Sequence, residues 1–85
     1  MSYLILWYRP EDEYDGYHLI NGFNVNEAIW CFYSQHPHEG ISEDLFYKMI
    51  NNMDIESAIE THNALCPNFR IVEIHKISEQ VYQGV

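Results

Sequence analysis

Apolar residues along this chain fall into two kinds of spacing, and the switch between them sets the expected fold. "YLILWYR", residues 3–9, is β-prone and apolar at both odd and even positions. That is the pattern of an interior strand covered on two sides, and it makes this segment the central strand. Asp15-Gly16 gives a turn signal, and "YHLING", residues 17–22, returns as a second strand. The simplest connection is a hairpin, with a loop longer than the tightest kind. Helical spacing then takes over in "NVNEAIWCFYSQH", residues 24–36, where Ala28, Ile29 and Phe32 recur on one face. Asn24 can cap this helix, Glu27 stands three residues on as in a capping box, and Pro37 ends it.

A second helix begins at Ser42, with Glu43 and Asp44 in its first turn and Ile41 set to pack on Phe46 as a hydrophobic staple. Its expected inward face is Leu45, Met49 and their neighbours. Asp54 caps a third helix whose stripe is Ile55, Ala58, Ile59 and His62, and "CPN", residues 66–68, breaks it. "FRIVEIHKI", residues 69–77, is again β-prone, and a right-handed return lays it antiparallel beside the first strand. Its alternation is too irregular to assign its faces. The expectation is therefore an α+β fold, ββαααβ, with a three-stranded antiparallel sheet of order 2-1-3 and two to three helices packed on at least one face. Residues 1–85 form one domain, and residues 78–85 read as a short turn of helix or a frayed end.

Composition adds a core and a compartment. Seven tyrosines, four phenylalanines and two tryptophans supply enough apolar area for a core without covalent staples. Cys31 and Cys66 lie far apart with no metal-type spacing, so both read as reduced thiols. No charged and apolar leader opens the chain, and "YLILWY" falls well short of the roughly 20 residues that cross a bilayer. These features predict a soluble, cytoplasmic protein.

Charge narrows the partners. Thirteen acids against four bases leave a formal charge of −9. Direct binding to DNA, RNA or an anionic membrane draws on lysine and arginine, and only Arg9, Lys48, Arg70 and Lys76 are present. For the same reason Trp7, Trp30, Phe23, Phe32, Phe46 and Phe69 read as core rather than as a stacking platform for bases. Basic proteins are the favoured partners.

Five acids, Glu27, Glu43, Asp44, Asp54 and Glu56, fall in expected caps or first turns, where each complements the helix dipole by about 0.3–1 kcal/mol. Eight remain: Glu11, Asp12, Glu13, Asp15, Glu39, Glu60, Glu73 and Glu79. Four of these crowd into residues 11–15, although like charges within a Debye length of about 8 Å repel and stability alone disperses them. A solubilising hairpin tip, with Asp15 serving the turn, is one reading. The other rests on the interleaved Tyr8, Tyr14 and Tyr17. Carboxylates grip arginine bidentately, tyrosine faces stack on guanidinium, and tyrosine is enriched at protein contacts.

Catalytic chemistry has few footholds. His36, His38 and Glu39 share a loop and offer metal ligands if His62 or Cys66 comes near, but neither a cysteine pair nor the helical histidine spacing of metalloproteases is present. A helix-ending histidine ordinarily complements the dipole. His62 and Cys66 stand four apart, in reach of a thiolate–imidazole pair if the helix continues past Leu65, which Pro67 opposes. The plain alternative makes His62 an inward residue, and Cys66 and Cys31 small buried hydrophobes. No phosphate loop, serine elbow or nucleotide fingerprint occurs. We therefore assign no catalytic residue, no metal and no cofactor.

The expected function is a small acidic interaction protein that occludes a basic, nucleic-acid-binding surface of a partner, its carboxylates standing in for phosphates. Glu11, Asp12, Glu13, Tyr14, Asp15, Tyr17 and Glu39 are the expected contact residues. Compact acidic chains of this type resemble, in general character, the DNA-mimic inhibitors that phages make against host nucleases, restriction systems or CRISPR complexes. The alternatives are a metal- or thiol-dependent protein built on His36, His38, Glu39, His62 or Cys66, and a structural homodimer.

Overall fold

A computed structural model describes residues 1–77, so the turn expected at residues 78–85, and Glu79 with it, lies outside the described residues. The chain runs through β1 (Ser2–Arg9), β2 (Tyr14–Asn21), α1 (Val25–Ser34), α2 (Glu43–Ile50), α3 (Ile55–Leu65) and β3 (Arg70–Ile77). The strands form one antiparallel sheet in the order β2-β1-β3. The architecture is α+β, ββαααβ, as the spacing of apolar residues predicts.

The pleat of β1 sends Tyr3, Ile5 and Trp7 to one side, where they are buried with Ile20 of β2, Ile71 of β3 and the helix residues Ala28, Ile29, Phe32, Tyr33, Phe46, Ile50 and Ala58. Each fully buried Phe or Ile contributes about 1.5–3 kcal/mol. Leu4, Leu6 and Tyr8 point the other way and are half-exposed. The expected two-sided cover of β1 is thus corrected: among the described residues the helices pack on one face of the sheet. The chain between β2 and β3 holds all three helices, and their buried residues join the inward side chains of β1.

The hairpin turn is also displaced from its expected place. Arg9 pairs with Tyr14 and Tyr8 with Asp15, so residues 10–13 form the loop, and Asp15-Gly16 lies inside β2. Pro10 follows the last β1 residue, and Glu13 takes the left-handed conformation at φ 51°. Gly16 is a packing residue: it faces Trp7 in register, and a Cβ there would fall 2.2 Å from the indole. The irregularity of β3 has a similarly local cause. The register slips between Leu6 and Trp7, so that Leu6 faces Glu73 and Trp7 faces Ile71. Val72 is the extra residue of the resulting bulge, and Ile71 and Ile74, three apart, pair with the inward Trp7 and Ile5.

The helices begin where their caps predict. Asn24 Oδ1 accepts from Glu27 N–H (2.9 Å), Ser42 Oγ from Leu45 N–H (3.1 Å) and Asp54 Oδ1 from Ser57 N–H (2.8 Å). Glu27 reaches one residue further back than a capping box requires, accepting from Phe23 N–H at 3.2 Å. The Phe23 ring is 86% exposed, outside the core expected to hold it. α2 is rotated by one position: Phe46 and Ile50 are buried and Met49 half-buried, while Leu45 is exposed. The Phe46 ring stacks on Tyr33 at 4.0 Å, which fixes this rotation. In α3, Ala58 and His62 are buried and Ile59 half-buried, but Ile55, in the first turn, is exposed.

Candidate functional site

Two groups of side chains stand out. The first is the hairpin tip, where Glu11, Asp12, Glu13, Tyr14 and Asp15 are all exposed. Arg9 Nη2 lies 3.4 Å from Asp12, an exposed ion pair worth about 0–1 kcal/mol. Glu11, Glu13 and Asp15 have no ion-pair partner among the described residues. The pleat divides the tyrosines. Tyr8 and Tyr17 share the bare face of the sheet with Asp15, whereas Tyr14 is on the opposite side, its ring 5.7 Å from Trp7. Along that bare face the apolar positions continue through Leu6, Leu4, Leu19 and Val72, with Tyr17 71% and Leu19 59% exposed. Glu39 belongs to a different segment, the loop between α1 and α2, where it lines an open groove with Glu43 and Asp44.

The second group lies under the helices. α1 gives way at Gln35, and His36 follows with its N–H bonded to Tyr33 O. α3 ends at Leu65, as Pro67 suggests, and Cys66 caps it with non-helical backbone angles while its N–H still donates to His62 O at 2.8 Å. His62 and Cys66 therefore occupy successive turns of one face, both buried, as the plain reading expects. His36 Nε2 meets His62 Nε2 at 3.1 Å, and Cys66 Sγ lies 3.7 Å from His36 O. Phe69 stacks on His36 at 4.4 Å, and Phe32 sits among His18, His36 and His62. His38 and Glu39, candidate partners of His36 in the alternative metal reading, are exposed, and His38 Nδ1 accepts from Gly40 N–H instead.

Hydrogen bonds fix the tautomers. Asn63 spans to β3, its Oδ1 accepting from Ile71 N–H (2.8 Å) and its Nδ2 donating to Ile71 O (3.0 Å). The same Oδ1 stands 3.0 Å from His62 Nδ1 and, being an acceptor, requires a proton there. His62 Nε2 thus presents a lone pair, and His36 Nε2–H donates to it. Burial, then the neighbouring His62 and His18, push the His36 pKa down to about 4. Burial lowers His62 as well, against the hydrogen bond to Asn63, and pushes the Cys66 thiol up to about 11. All three groups are neutral at pH 7.

The sequence shows His36, His62 and Cys66 individually, but their meeting depends on α1 and α3 lying side by side, which a single chain of letters does not display. No described helix is long and apolar enough to cross a membrane. No family model, no curated protein and no solved structure matches this chain, so residues and geometry alone carry its functional reading.

Proposed function

We propose that this protein is a small acidic docking protein that occupies a basic, nucleic-acid-binding surface of a partner protein and so occludes it. In this reading it acts in the cytoplasm without a catalytic role of its own, in the manner of the inhibitors that phages direct against nucleases, restriction systems or CRISPR complexes. The supporting observation is the hairpin tip. Glu11, Asp12 and Glu13 stand on a four-residue loop, and Asp15 and Tyr17 follow on an edge strand, all exposed. Glu13 is the telling residue, because at φ 51° a glycine costs nothing while an ordinary side chain costs about 1–2 kcal/mol. A charged side chain there serves the fold poorly. It serves a surface that presents a cluster of exposed carboxylates to a basic partner. Tyr8 and Tyr17 flank the acids on the bare sheet face and offer ring planes to arginine.

Charge also selects the occupant of that face. A second copy of the chain would bring another −9 against the first, and its own Asp15 and Glu73 against theirs. An arginine-rich surface is attracted by that excess of acids, with Arg70, opposite Tyr8, acting against it.

The test is capture from the native cell by the tagged full chain, with nuclease treatment, at low and high salt. Support requires a basic protein that is retained at low salt, released at high salt, displaced by added nucleic acid, and lost when Glu11, Asp12, Glu13 and Asp15 are replaced together by serine. Retention that ignores both salt and the serine variant overturns the proposal.

A further inference from the structure

The cluster of His36, His62 and Cys66 plays no part in that docking surface, and its atoms are arranged for a different task. We propose that these three residues form a transition-metal site that takes one Zn²⁺ through two imidazole Nε2 atoms and one thiolate, with its fourth position open to solvent.

The donor atoms nearly satisfy the geometry already. With Zn–N bonds of about 2.0 Å, the two nitrogens of a tetrahedral site stand about 3.3 Å apart, and here they stand 3.1 Å apart. All three ligand atoms lie within 4.8 Å of one another. A tetrahedral N···S edge is about 3.5 Å, so the sulfur has at most about 1.3 Å to close.

His62 is also prepared by its outer contacts. Metal-bound imidazoles ordinarily donate their second N–H to a fixed acceptor, which sets the tautomer and aims the other nitrogen. Asn63, locked to the backbone of Ile71, does this for His62. His62 and Cys66 come from the last turn and cap of α3, and His36 from the end of α1, so the ligands rest on packed elements.

Two imidazoles and a thiolate suit zinc and other borderline or soft metals, and are poor ligands for Mg²⁺ or Ca²⁺. His62 already presents the lone pair of its Nε2, whereas His36 Nε2 carries the proton of the bond between the two rings and must change tautomer to ligate. Binding balances simply. The Cys66 thiol gives its proton to solvent, the His36 proton leaves Nε2 as Nδ1 takes one up, and no electron moves. An open groove of about 420 Å³, lined by His36, Pro37, His38, Cys66 and Phe69, reaches two of the three ligands and leaves room for a water at the fourth position. Three protein ligands with an exchangeable fourth is the arrangement of reactive rather than purely structural zinc.

A plain imidazole–imidazole hydrogen bond has the same 3.1 Å separation, and titration with the metal alone separates the two accounts. Chelator-stripped full-length protein is titrated with Co²⁺ and, in competition with a chromophoric chelator, with Zn²⁺. The expected result is one equivalent bound, a near-ultraviolet thiolate-to-cobalt charge-transfer band, and the visible bands of tetrahedral Co²⁺. Cys66→Ser removes the charge-transfer band. His36→Ala, at a half-buried position, weakens Zn²⁺ binding by about 10-fold or more. His75→Ala, at the exposed pair with Glu73, leaves binding unchanged. Folded wild-type protein that gives no thiolate–cobalt band overturns the site, independently of how any variant folds. Equal Zn²⁺ affinity in wild type, Cys66→Ser and His36→Ala overturns it too.

Discussion

Gly16 and Trp7 settle the hairpin between them. The indole lies over the glycine, its Nε1–H donates to His18 Nδ1 at 2.8 Å, and its ring meets Phe32 and Phe69. A methyl group at residue 16 must displace this ring, so Gly16→Ala is expected to lower stability by about 1–3 kcal/mol. Urea unfolding reads this as a lower midpoint at unchanged slope, and an unchanged midpoint would refute the packing role. Glu13 behaves oppositely. Glu13→Gly relaxes a left-handed residue and thins a cluster of like charges, so its unfolding midpoint should not fall. A clear drop would mean that the side chain serves the fold. Both residues show where a sequence misleads: Asp15-Gly16 carries turn chemistry, but the glycine answers to a ring on the neighbouring strand, a contact that no local pattern encodes.

At the level of elements, boundaries were the legible part because caps are local. Asn24, Ser42 and Asp54 each meet an N–H three residues on, and the five acids in caps or first turns need no further explanation. Ser42→Ala should cost about 1 kcal/mol by loss of the Leu45 N–H bond, measured as a shift in urea midpoint. Rotation about a helix axis was less legible. α2 carries apolar residues at 45, 46, 49 and 50, a band wide enough to serve two orientations, and the stack of Phe46 on Tyr33 chooses between them. β3 hid its faces for the same kind of reason, since the bulge at Val72 belongs to the pairing with β1 and not to β3 itself. The candidate metal cluster was half visible: the sequence offered His36, His38 and Glu39, with His62 or Cys66 as partners if they came near, and the fold brings His36 to His62 and Cys66 while leaving His38 and Glu39 exposed.

That cluster gives the elements a pH dependence. His36 titrates near 4 in the folded metal-free chain and His62 is lowered too, against 6.5 for free imidazole. Below pH 6.5 the unfolded chain takes up protons that the folded chain refuses, so stability is full above that pH and falls as pH drops from 6.5 toward 4. Thermal unfolding in chelator should show this fall, with a smaller one in His36→Gln. A flat profile across the window would contradict the buried, neutral cluster.

Across the whole molecule the two faces of the sheet differ. Helices and aromatic core lie on one face of the sheet, while Tyr8, Tyr17, Leu19 and Val72 lie on the other, open among the described residues and edged by Asp15 and Glu73. The acids of the tip contribute nothing that this core requires. A serine variant at Glu11, Asp12, Glu13 and Asp15 should accordingly fold at least as stably as the parent, so that any loss it shows is a loss of binding.

Association kinetics with the captured partner test the docking role most directly, measured across a range of salt for the parent, for the four-serine tip variant, and for a control with Glu43 and Asp44 replaced. Steered association is faster by about 10-fold or more and depends steeply on ionic strength. The expected result is that the tip variant loses most of that rate and most of its salt slope while the control keeps both. Equal rates and equal slopes in all three proteins would contradict the account.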